Sequence, residues 1–322
     1  MKPLHLILRD AWSRMLRVMP VTFFDGLRAR HRAGHGGAAV RRIRERALRA
    51  MRYRTLTDGP PDFDVDATGS LRMTNDGSLI SRYLFWLGAS GYEPAVAEQW
   101  ACCCARARGI LEIGCNIGYM TVRGAASGGV NVPYTAVEPN PEALRSLRAN
   151  LALNGLDHVR VVPSAVLGRV TEATAKLQVS MIDSYTAPAG AHLASFGAAD
   201  VKERVVDVPL TPIADLLDGV DTLKLDVEGA ELDILSAVRD RLADQSVTLF
   251  VEVLDSAPEL RRFLADFAGD HGYRVFVAAE SLLEIAPADL PKTPLWKAYQ
   301  SRDLILVPPD RSQGREAMGP PS

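Results

Sequence analysis

Charged residues that alternate with apolar ones mark the first candidate site. Residues 223–232 read LKLDVEGAEL, in which Lys224, Asp226 and Glu228 share one parity and three apolar residues share the other: Leu223, Leu225 and Val227. A strand with this pattern has one apolar face and one charged face. Gly229 permits a sharp turn before a helical pattern begins. The two acids can therefore act at the ligand-binding edge of an α/β sheet, or they can simply complement the dipole of the following helix.

A glycine loop after an apolar strand marks the second candidate site. The sequence ILEIGCNIGYMT, residues 110–121, places Gly114 and Gly118 between a strand and a helix, where a ligand can approach the backbone closely. Asn116 stands where a dinucleotide-binding G-x-G-x-x-G loop has its second glycine, so the loop does not have that fingerprint. Glu138 ends the next strand, where a carboxylate can accept both hydroxyls of a ribose.

Alternating strand and helix patterns from residue 109 onward position these two sites. They predict an α/β fold with a doubly wound, mostly parallel seven-stranded sheet that is covered by helices on both faces. The predicted strands are residues 110–113, 134–137, 159–163, 222–227, 247–254, 273–277 and 304–307. The predicted helices are residues 119–126, 141–153, 230–242 and 257–268. Asn154-Gly155 is predicted to end the second of these helices.

Residues 168–209 do not follow the alternation and are predicted to form a substrate-facing insertion. The insertion closes with an extended piece that runs into a short helix. Its polar and aromatic residues include Tyr185, His192, Ser195 and Phe196. These side chains either line a pocket for a substrate or pack a flap, and the sequence favours neither alternative.

The first 55 residues are predicted to form a basic helical extension. Residues 1–54 carry 14 Lys or Arg and only three acids, although the whole chain has a net charge of -2. Such a segment can contact an anionic membrane or a partner, but a charge-rich helix pair is more often a solvated cap. Residues 56–108 are predicted to be a linker followed by capping helices that break around Gly91, and residues 308–322 a disordered tail.

The composition is that of a soluble globular protein, with 47% hydrophobic and 24% charged residues. Charges interrupt the N-terminal apolar stretch well before the roughly 18 residues of a membrane span, so we expect neither a span nor a secretory signal. We therefore expect a cytoplasmic location. The four cysteines, three of them adjacent at residues 102–104, fit neither a disulfide framework nor a zinc site and are expected to be reduced.

Taken together, the two candidate sites resemble those of the FkbM family of class I S-adenosylmethionine-dependent methyltransferases. The family pattern combines an E/D-x-G-x-N-x-G loop, an E-P-N strand end and a K-x-D-x-E-G-x-E strand-to-helix edge. The matching residues are Glu112, Gly114, Asn116, Gly118, Glu138, Pro139, Asn140, Lys224, Asp226, Glu228, Gly229 and Glu231. Many members have aspartate at the position of Glu112. The resemblance covers about residues 90–307, makes residues 109–307 the methyltransferase domain and leaves the basic extension outside.

The resemblance implies S-adenosyl-L-methionine as the cofactor. It places nine residues around that cofactor: Glu112, Gly114, Asn116, Gly118, Glu138, Pro139, Asn140, Ser164 and Ala165. The first four would surround the methionine part, Glu138 would hold the ribose, and Ser164 and Ala165 would flank the adenine.

The acids on the opposite side are the catalytic candidates. We rank Asp226 first as general base or acceptor-orienting group, then Glu228 and Glu252. The strand order expected for class I methyltransferases puts Glu252 beside Asp226, where Glu252 needs a partner such as Lys224 or a shifted pKa. These three carboxylates could share a divalent cation, but the ammonium of Lys224 argues against one, so no metal is predicted. Glu231 is expected to be structural.

The leading hypothesis is O-methylation of a hydroxyl on a sugar, glycolipid or secondary metabolite by in-line displacement. One alternative is a nicotinamide-dependent oxidoreductase, which Asn116 opposes. The other is a non-catalytic scaffold that docks through its basic N-terminus. The expected partner is a small-molecule or glycan acceptor, no specific nucleic acid is predicted, and no motif identifies the acceptor or the oligomeric state.

Overall fold

The computed structural model describes residues 19–51, 59–180, 192–193 and 203–309. The chain forms two compact units, and the first ends at Pro94. The second unit contains the remaining described residues. The beginning of the basic extension and almost all of the predicted tail lie outside the described residues.

The first unit contains helices and a short strand pair. Its helices are α1 (Asp25–Arg32), α2 (Ala38–Met51) and α3 (Leu79–Leu87), and its antiparallel strands are β1 (Asp62–Asp64) and β2 (Arg72–Thr74). The strands lie within the predicted linker, which is therefore partly structured. Leu48 and Met51 are buried, so α2 is not solvated on all sides as its charge suggested. Phe85 packs edge-on against Phe63 and Trp86 in this unit's core.

The predicted break around Gly91 is confirmed. Helix α3 ends at Leu87, and α4 (Pro94–Cys104) begins after a short 3-10 turn. Gly91 approaches the preceding helix so closely that a Cβ on it would lie 2.3 Å from the carbonyl oxygen of Tyr83. Glycine is required there because any side chain would displace the backbone.

The second unit is built on an eight-stranded sheet. Its strands are β3 (Ile110–Ile113), β4 (Tyr134–Val137), β5 (Arg160–Val162), β10 (Thr222–Leu225), β11 (Thr248–Glu252), β12 (Arg274–Ala278), β13 (Leu282–Ile285) and β14 (Asp303–Val307). Their order is β13-β12-β14-β11-β10-β3-β4-β5. The neighbours from β5 to β11 are parallel, whereas β14 runs antiparallel to both β11 and β12. All seven predicted strands are present, and β13 adds an antiparallel eighth at the edge.

Helices cover this sheet as predicted. They are α5 (Tyr119–Gly128), α6 (Pro141–Leu153), α7 (Glu231–Ala237), α8 (Arg239–Asp244), α9 (Pro258–His271) and α10 (Leu295–Tyr299). The side chain of Asn140 caps α6 by accepting from the backbone N–H of Glu142 at 3.0 Å. The continuous helix predicted over residues 230–242 is wrong, because the backbone of Val238 leaves the helical region (φ -127°, ψ 19°) and separates α7 from α8.

The predicted insertion forms most of a second, four-stranded sheet, whose first strand precedes it. Its strands are β6 (Ala165–Leu167), β7 (Thr174–Ser180), β8 (His192–Leu193) and β9 (Glu203–Pro212), in the order β6-β9-β7-β8. The expected extended piece and short helix are confirmed by β9 and the 3-10 turn Ile213–Leu216. His192 lies in β8, and the other candidate pocket residues of the insertion, Tyr185, Ser195 and Phe196, lie outside the described residues.

The cysteines agree with the expectation from their spacing. All four cysteines are free thiols, and Cys115 donates its S–H to the carbonyl of Val137 at 2.9 Å. Among the helices of the described segments, none has both the length and the apolar character needed to cross a membrane.

Candidate functional site

The two candidate sites meet at one edge of the eight-stranded sheet. Strands β3 and β10 are parallel neighbours, with Glu112 opposite Lys224, so the loops that follow them leave the sheet side by side. Gly114 has a φ of 86°, and a Cβ on it would lie 1.7 Å from the carbonyl oxygen of Asp226. The glycine loop and the acidic edge are therefore in direct backbone contact, which only glycine permits at this position.

Glu138 fixes the shape of the glycine loop. One carboxylate oxygen accepts from the backbone N–H of Asn116 at 2.8 Å, and the other accepts from the N–H of Asn140 at 2.9 Å. Asn116 and Gly118 adopt left-handed backbone conformations, with φ of 50° and 86°. Burial raises the pKa of Glu138 to about 7, although these two backbone hydrogen bonds act in the opposite direction. Glu138 thus joins the ends of β3 and β4.

Two amide atoms beside Glu138 are buried without a hydrogen-bond partner in the described part of the chain. They are Oδ1 of Asn116 and Nδ2 of Asn140. A buried polar atom that stays unpaired costs free energy, and most such atoms in folded proteins have a partner. An unpaired acceptor and an unpaired donor on the two residues that Glu138 holds indicate a place for a polar ligand.

The remaining predicted cofactor residues lie in three places. Glu112 is inside β3, 1% exposed, and accepts a hydrogen bond from the hydroxyl of Tyr134. Burial raises its pKa to about 7. Ser164 accepts from the hydroxyl of Thr211 at 2.8 Å, and the neighbouring Ala165 is packed in the apolar core of the four-stranded sheet. Pro139 precedes the cap of α6.

The structure brings the three catalytic candidates together. Asp226, Glu228 and Glu252 each place a carboxylate oxygen within 4.8 Å of the others. Asp226 and Glu252 meet because β10 and β11 are parallel neighbours, as the expected strand order requires. Strand β10 ends at Leu225, two residues earlier than predicted, so Asp226 and Val227 lie beyond it, and Glu228 follows in a turn with a left-handed φ of 57°.

Crowding of negative charge shifts the pKa values of these acids. Burial and then the carboxylates of Asp226 and Glu228 raise the pKa of Glu252 from 4.5 to about 10. Burial and then Asp226 raise that of Glu228 to about 7. The ammonium of Lys224 binds Asp226 at 3.0 Å, and Arg302 approaches Glu252 only to 3.8 Å. Glu252 is therefore a neutral acid at pH 7.

Sequence reasoning missed a fourth carboxylate at this edge. Asp303 begins β14 and is paired in register with Glu252. Burial raises the pKa of Asp303 to about 6, and Lys224 acts in the opposite direction. An aspartate at the start of an apolar strand gives no local signal. Its place beside Glu252 depends on β14 lying next to β11.

Glu231 has the structural role expected of it. Its carboxylate accepts from the backbone N–H of Gly229 at 3.0 Å and from that of Val227 at 3.1 Å. These bonds tie the start of α7 to the turn that carries Glu228. Divalent cations do bind sets of carboxylates such as the neighbouring cluster, but the ammonium of Lys224 already provides a positive charge there. The absence of a metal stays a prediction.

Replacing Glu252 with glutamine is expected to make stability less sensitive to alkaline pH. The folded protein keeps a proton on Glu252 that the unfolded chain releases above pH 4.5, so the free energy of unfolding falls as pH rises toward about 10. The slope is at most about 1.4 kcal/mol per pH unit. Between pH 7.5 and 9, urea unfolding of the wild type should therefore lose about 1–2 kcal/mol more than Glu252→Gln.

The exposed Glu259, which forms an ion pair with Arg262, provides the control. Glu259→Gln should follow the wild-type curve. If the free energy of unfolding of Glu252→Gln also follows the wild-type curve between pH 7.5 and 9, Glu252 is not held in its protonated form in the folded protein.

Comparison with known protein families assigns this sequence to one of them. The methyltransferase FkbM domain matches residues 112–275, which is half of the chain and includes both candidate sites. No curated protein matches the sequence.

Among solved structures, a methyltransferase FkbM from Methylobacillus flagellatus is similar, with 14% identity and a TM-score of 0.39 over 62% of this chain and 44% of that one. A precorrin-6y C5,15-methyltransferase from Geobacter metallireducens has 16% identity and a TM-score of 0.35 over 67% of this chain and 86% of that one. This chain thus spans less than half of the solved FkbM protein. Both TM-scores are below 0.5, so the assignment rests on the sequence match: the chain belongs to the methyltransferase FkbM domain family.

Proposed function

We propose that this protein is an S-adenosyl-L-methionine-dependent methyltransferase that methylates a hydroxyl group of a sugar, glycolipid or secondary metabolite. The observation that carries the proposal is the pair of buried, unpaired amide atoms of Asn116 and Asn140 on either side of Glu138. They lie at the sheet edge that also carries three clustered carboxylates. A donor site and a proton-accepting site are the two parts that methyl transfer to oxygen requires.

The residues of the glycine loop fit this cofactor. Each oxygen of Glu138 accepts one backbone N–H and keeps a second lone pair for a ribose hydroxyl. The free Oδ1 of Asn116 can accept from an amino group and the free Nδ2 of Asn140 can donate to a hydroxyl or carboxylate. Gly114 and Gly118 let this loop pack tightly, because a Cβ would lie 1.7 Å from the carbonyl oxygen of Asp226 or 2.4 Å from the side chain of Leu147. When bound, S-adenosyl-L-methionine supplies a methyl group on a positively charged sulfur.

The clustered carboxylates orient the acceptor and take its proton. Glu252 holds a proton at pH 7 and therefore cannot act as a base there, but its acid can donate a hydrogen bond to Asp226. Asp226 is fixed by the ammonium of Lys224 on one side and by this acid on the other. We propose Asp226 as the group that orients the acceptor hydroxyl and removes its proton. Glu228, whose pKa is about 7, is the competing base.

Replacing Glu138 with alanine is expected to abolish binding of S-adenosyl-L-methionine. The change removes the ribose acceptor and the two hydrogen bonds that shape the loop. Each hydrogen bond to a charged group contributes about 1.5–3 kcal/mol, so the combined loss should exceed about 100-fold in affinity. Isothermal titration calorimetry with wild type and variant measures this loss directly.

Two further variants test whether the loss of binding comes from the carboxylate of Glu138. Glu138→Gln keeps the shape of the side chain and should bind about tenfold more weakly than the wild type. Asp157→Ala changes an exposed acid of the same unit and should bind normally. Absence of binding to the wild type would contradict the proposed cofactor.

The acceptor can be identified by supplying an isotopically labelled methyl donor and the full-length protein to a cell extract. Mass spectrometry should then find the label on the oxygen of a hydroxyl-bearing small molecule or glycan. Label on nitrogen, carbon or protein side chains would contradict O-methylation while leaving the methyltransferase assignment intact. Label that appears equally with Glu138→Ala would come from another enzyme in the extract.

A further inference from the structure

Asp303, the first residue of β14, directly faces Glu252 across two antiparallel strands. The two residues are paired in register, and beside them the backbone N–H of Val253 donates to the carbonyl of Arg302 at 2.8 Å. This bond identifies Glu252 and Asp303 as a non-hydrogen-bonded pair, the antiparallel arrangement that brings facing side chains closest. In such pairs the Cβ atoms are about 4.5–5.5 Å apart, and both side chains lie on the same face of the sheet.

Asp226 lies on the other side of Glu252. Leu225 is opposite Val251 in the parallel pair of β10 and β11, so the residues that follow them, Asp226 and Glu252, are neighbours at the end of these strands. The strand order β14-β11-β10 then places the three acids in a row. Glu252 is the middle member of this row, with one aspartate on each side.

The positive charges of Lys224 and Arg302 do not neutralise this row. The ammonium of Lys224 is 3.0 Å from Asp226, whereas Arg302 approaches Glu252 only to 3.8 Å, which is beyond hydrogen-bonding distance. Carboxylates held this close cannot all be ionised, so one of the three keeps a proton. Glu252 has a negative neighbour on both sides and its side chain is 18% exposed, so the proton stays on Glu252.

We propose that Asp303 is a positioning residue for methyl transfer: its carboxylate keeps the proton on Glu252, and the acid of Glu252 donates this proton in a hydrogen bond that orients Asp226. The inference rests on the proposed function, in which Asp226 takes the proton of the acceptor hydroxyl. Asp303 acts only through Glu252 and does not contact the acceptor. In agreement, burial and then the charges of Asp226, Glu228 and Asp303 raise the pKa of Glu252 to about 10.

Asp303 is charged over the pH range in which Glu252 is neutral. Burial raises the pKa of Asp303 to about 6, and the charges of Lys224 and Arg302 prevent a larger rise. The hydroxyl of Ser301 accepts the backbone N–H of Asp303 at 3.2 Å and holds the start of β14 in place. Between pH values of about 6 and about 10, a charged Asp303 therefore lies beside a protonated Glu252.

The first test follows the proton of Glu252 in the full-length protein, without cofactor or acceptor. Glutamate labelled with carbon-13 at its side-chain carboxyl gives an NMR signal for Glu252, which is identified by its absence from Glu252→Gln. In the wild type this signal should titrate near pH 10. In Asp303→Asn it should titrate roughly one pH unit lower, because the substitution removes a negative neighbour. Asp266→Asn changes an exposed acid of α9 and should titrate like the wild type. An unchanged midpoint in Asp303→Asn would overturn the proposal.

The second test determines whether the effect reaches the reaction, measured as labelled methyl transfer to the acceptor found in the cell extract. In Asp303→Asn the fall of kcat at alkaline pH should move to lower pH by the same shift, and calorimetry should find the affinity for S-adenosyl-L-methionine within a few-fold of the wild type. Asp303→Glu keeps the charge and should restore the wild-type profile.

Two results of the second test count against different claims. A loss of kcat that is equal at every pH would indicate a merely structural role for Asp303 and would overturn the proposal. A wild type that binds no S-adenosyl-L-methionine would instead contradict the proposed function. The NMR titration separates the two cases, because it requires neither cofactor nor acceptor.

Discussion

Gly114→Ala is expected to lower the free energy of unfolding by about 3 kcal/mol and to abolish binding of S-adenosyl-L-methionine. The added Cβ would lie 1.7 Å from the carbonyl oxygen of Asp226, so the loops after β3 and β10 would have to separate. The positive φ of 86° adds the strain of a left-handed conformation. Because Asn116 lies in this loop and donates its backbone N–H to Glu138, displacement of the loop also removes the cofactor site. Urea unfolding and calorimetry measure the two effects separately.

Gly155 supplies a matched control for the strain. Its φ is 65°, but a Cβ on it would meet nothing within 4 Å, since it follows α6 at the surface. Gly155→Ala should therefore cost only about 1 kcal/mol and leave cofactor binding unchanged. If both alanine variants lose the same stability, the contact between Gly114 and Asp226 is not rigid, and the two halves of the site are not held together by their backbones.

The main sheet could be predicted because its strands carry local signals. Apolar runs bounded by turns located all seven predicted strands, and Asn154-Gly155 correctly ended α6 with a left-handed glycine. Strand β13 was missed because its Leu282–Ile285 segment is short and half exposed at the sheet edge, so packing gives it no apolar pattern. The division between α7 and α8 was missed because it depends on the backbone of one residue, Val238.

The candidate site was predictable to the extent that its residues are close in sequence. The spacing of Gly114, Gly118 and Glu138 predicts the loop. The sequence left open whether Glu252 finds a partner or has a shifted pKa, because its pKa is set by carboxylates on separate elements, including Asp303. The sequence identifies three of the four acids at this edge, whereas their protonation depends on the strand order that also brings Asp303 beside Glu252.

Asp226→Asn is expected to lower kcat by about 10²–10⁴-fold, the usual contribution of general base catalysis, while the affinity for S-adenosyl-L-methionine stays within a few-fold of the wild type. Asparagine has the same shape, and its oxygen can still accept from Lys224, which is 3.0 Å from the aspartate. The fold should therefore survive the substitution. Labelled methyl transfer to the acceptor found in the cell extract gives kcat, and calorimetry gives the cofactor affinity.

The pH dependence of the same reaction distinguishes the two acids. If Glu228 were the base, kcat of the wild type would fall as pH drops through about 7, because protonation of Glu228 would remove the base. Glu228→Gln would then cause the large loss, and Asp226→Asn only a small one. If Asp226 is the general base, the Glu228→Gln variant should keep most of its activity. Any change in kcat near pH 7 that comes from titration of Glu228 should be absent from this variant. The position of Lys224 supports Asp226 as the general base, because the ammonium of Lys224 fixes the carboxylate of Asp226. No described residue donates a comparable hydrogen bond to Glu228.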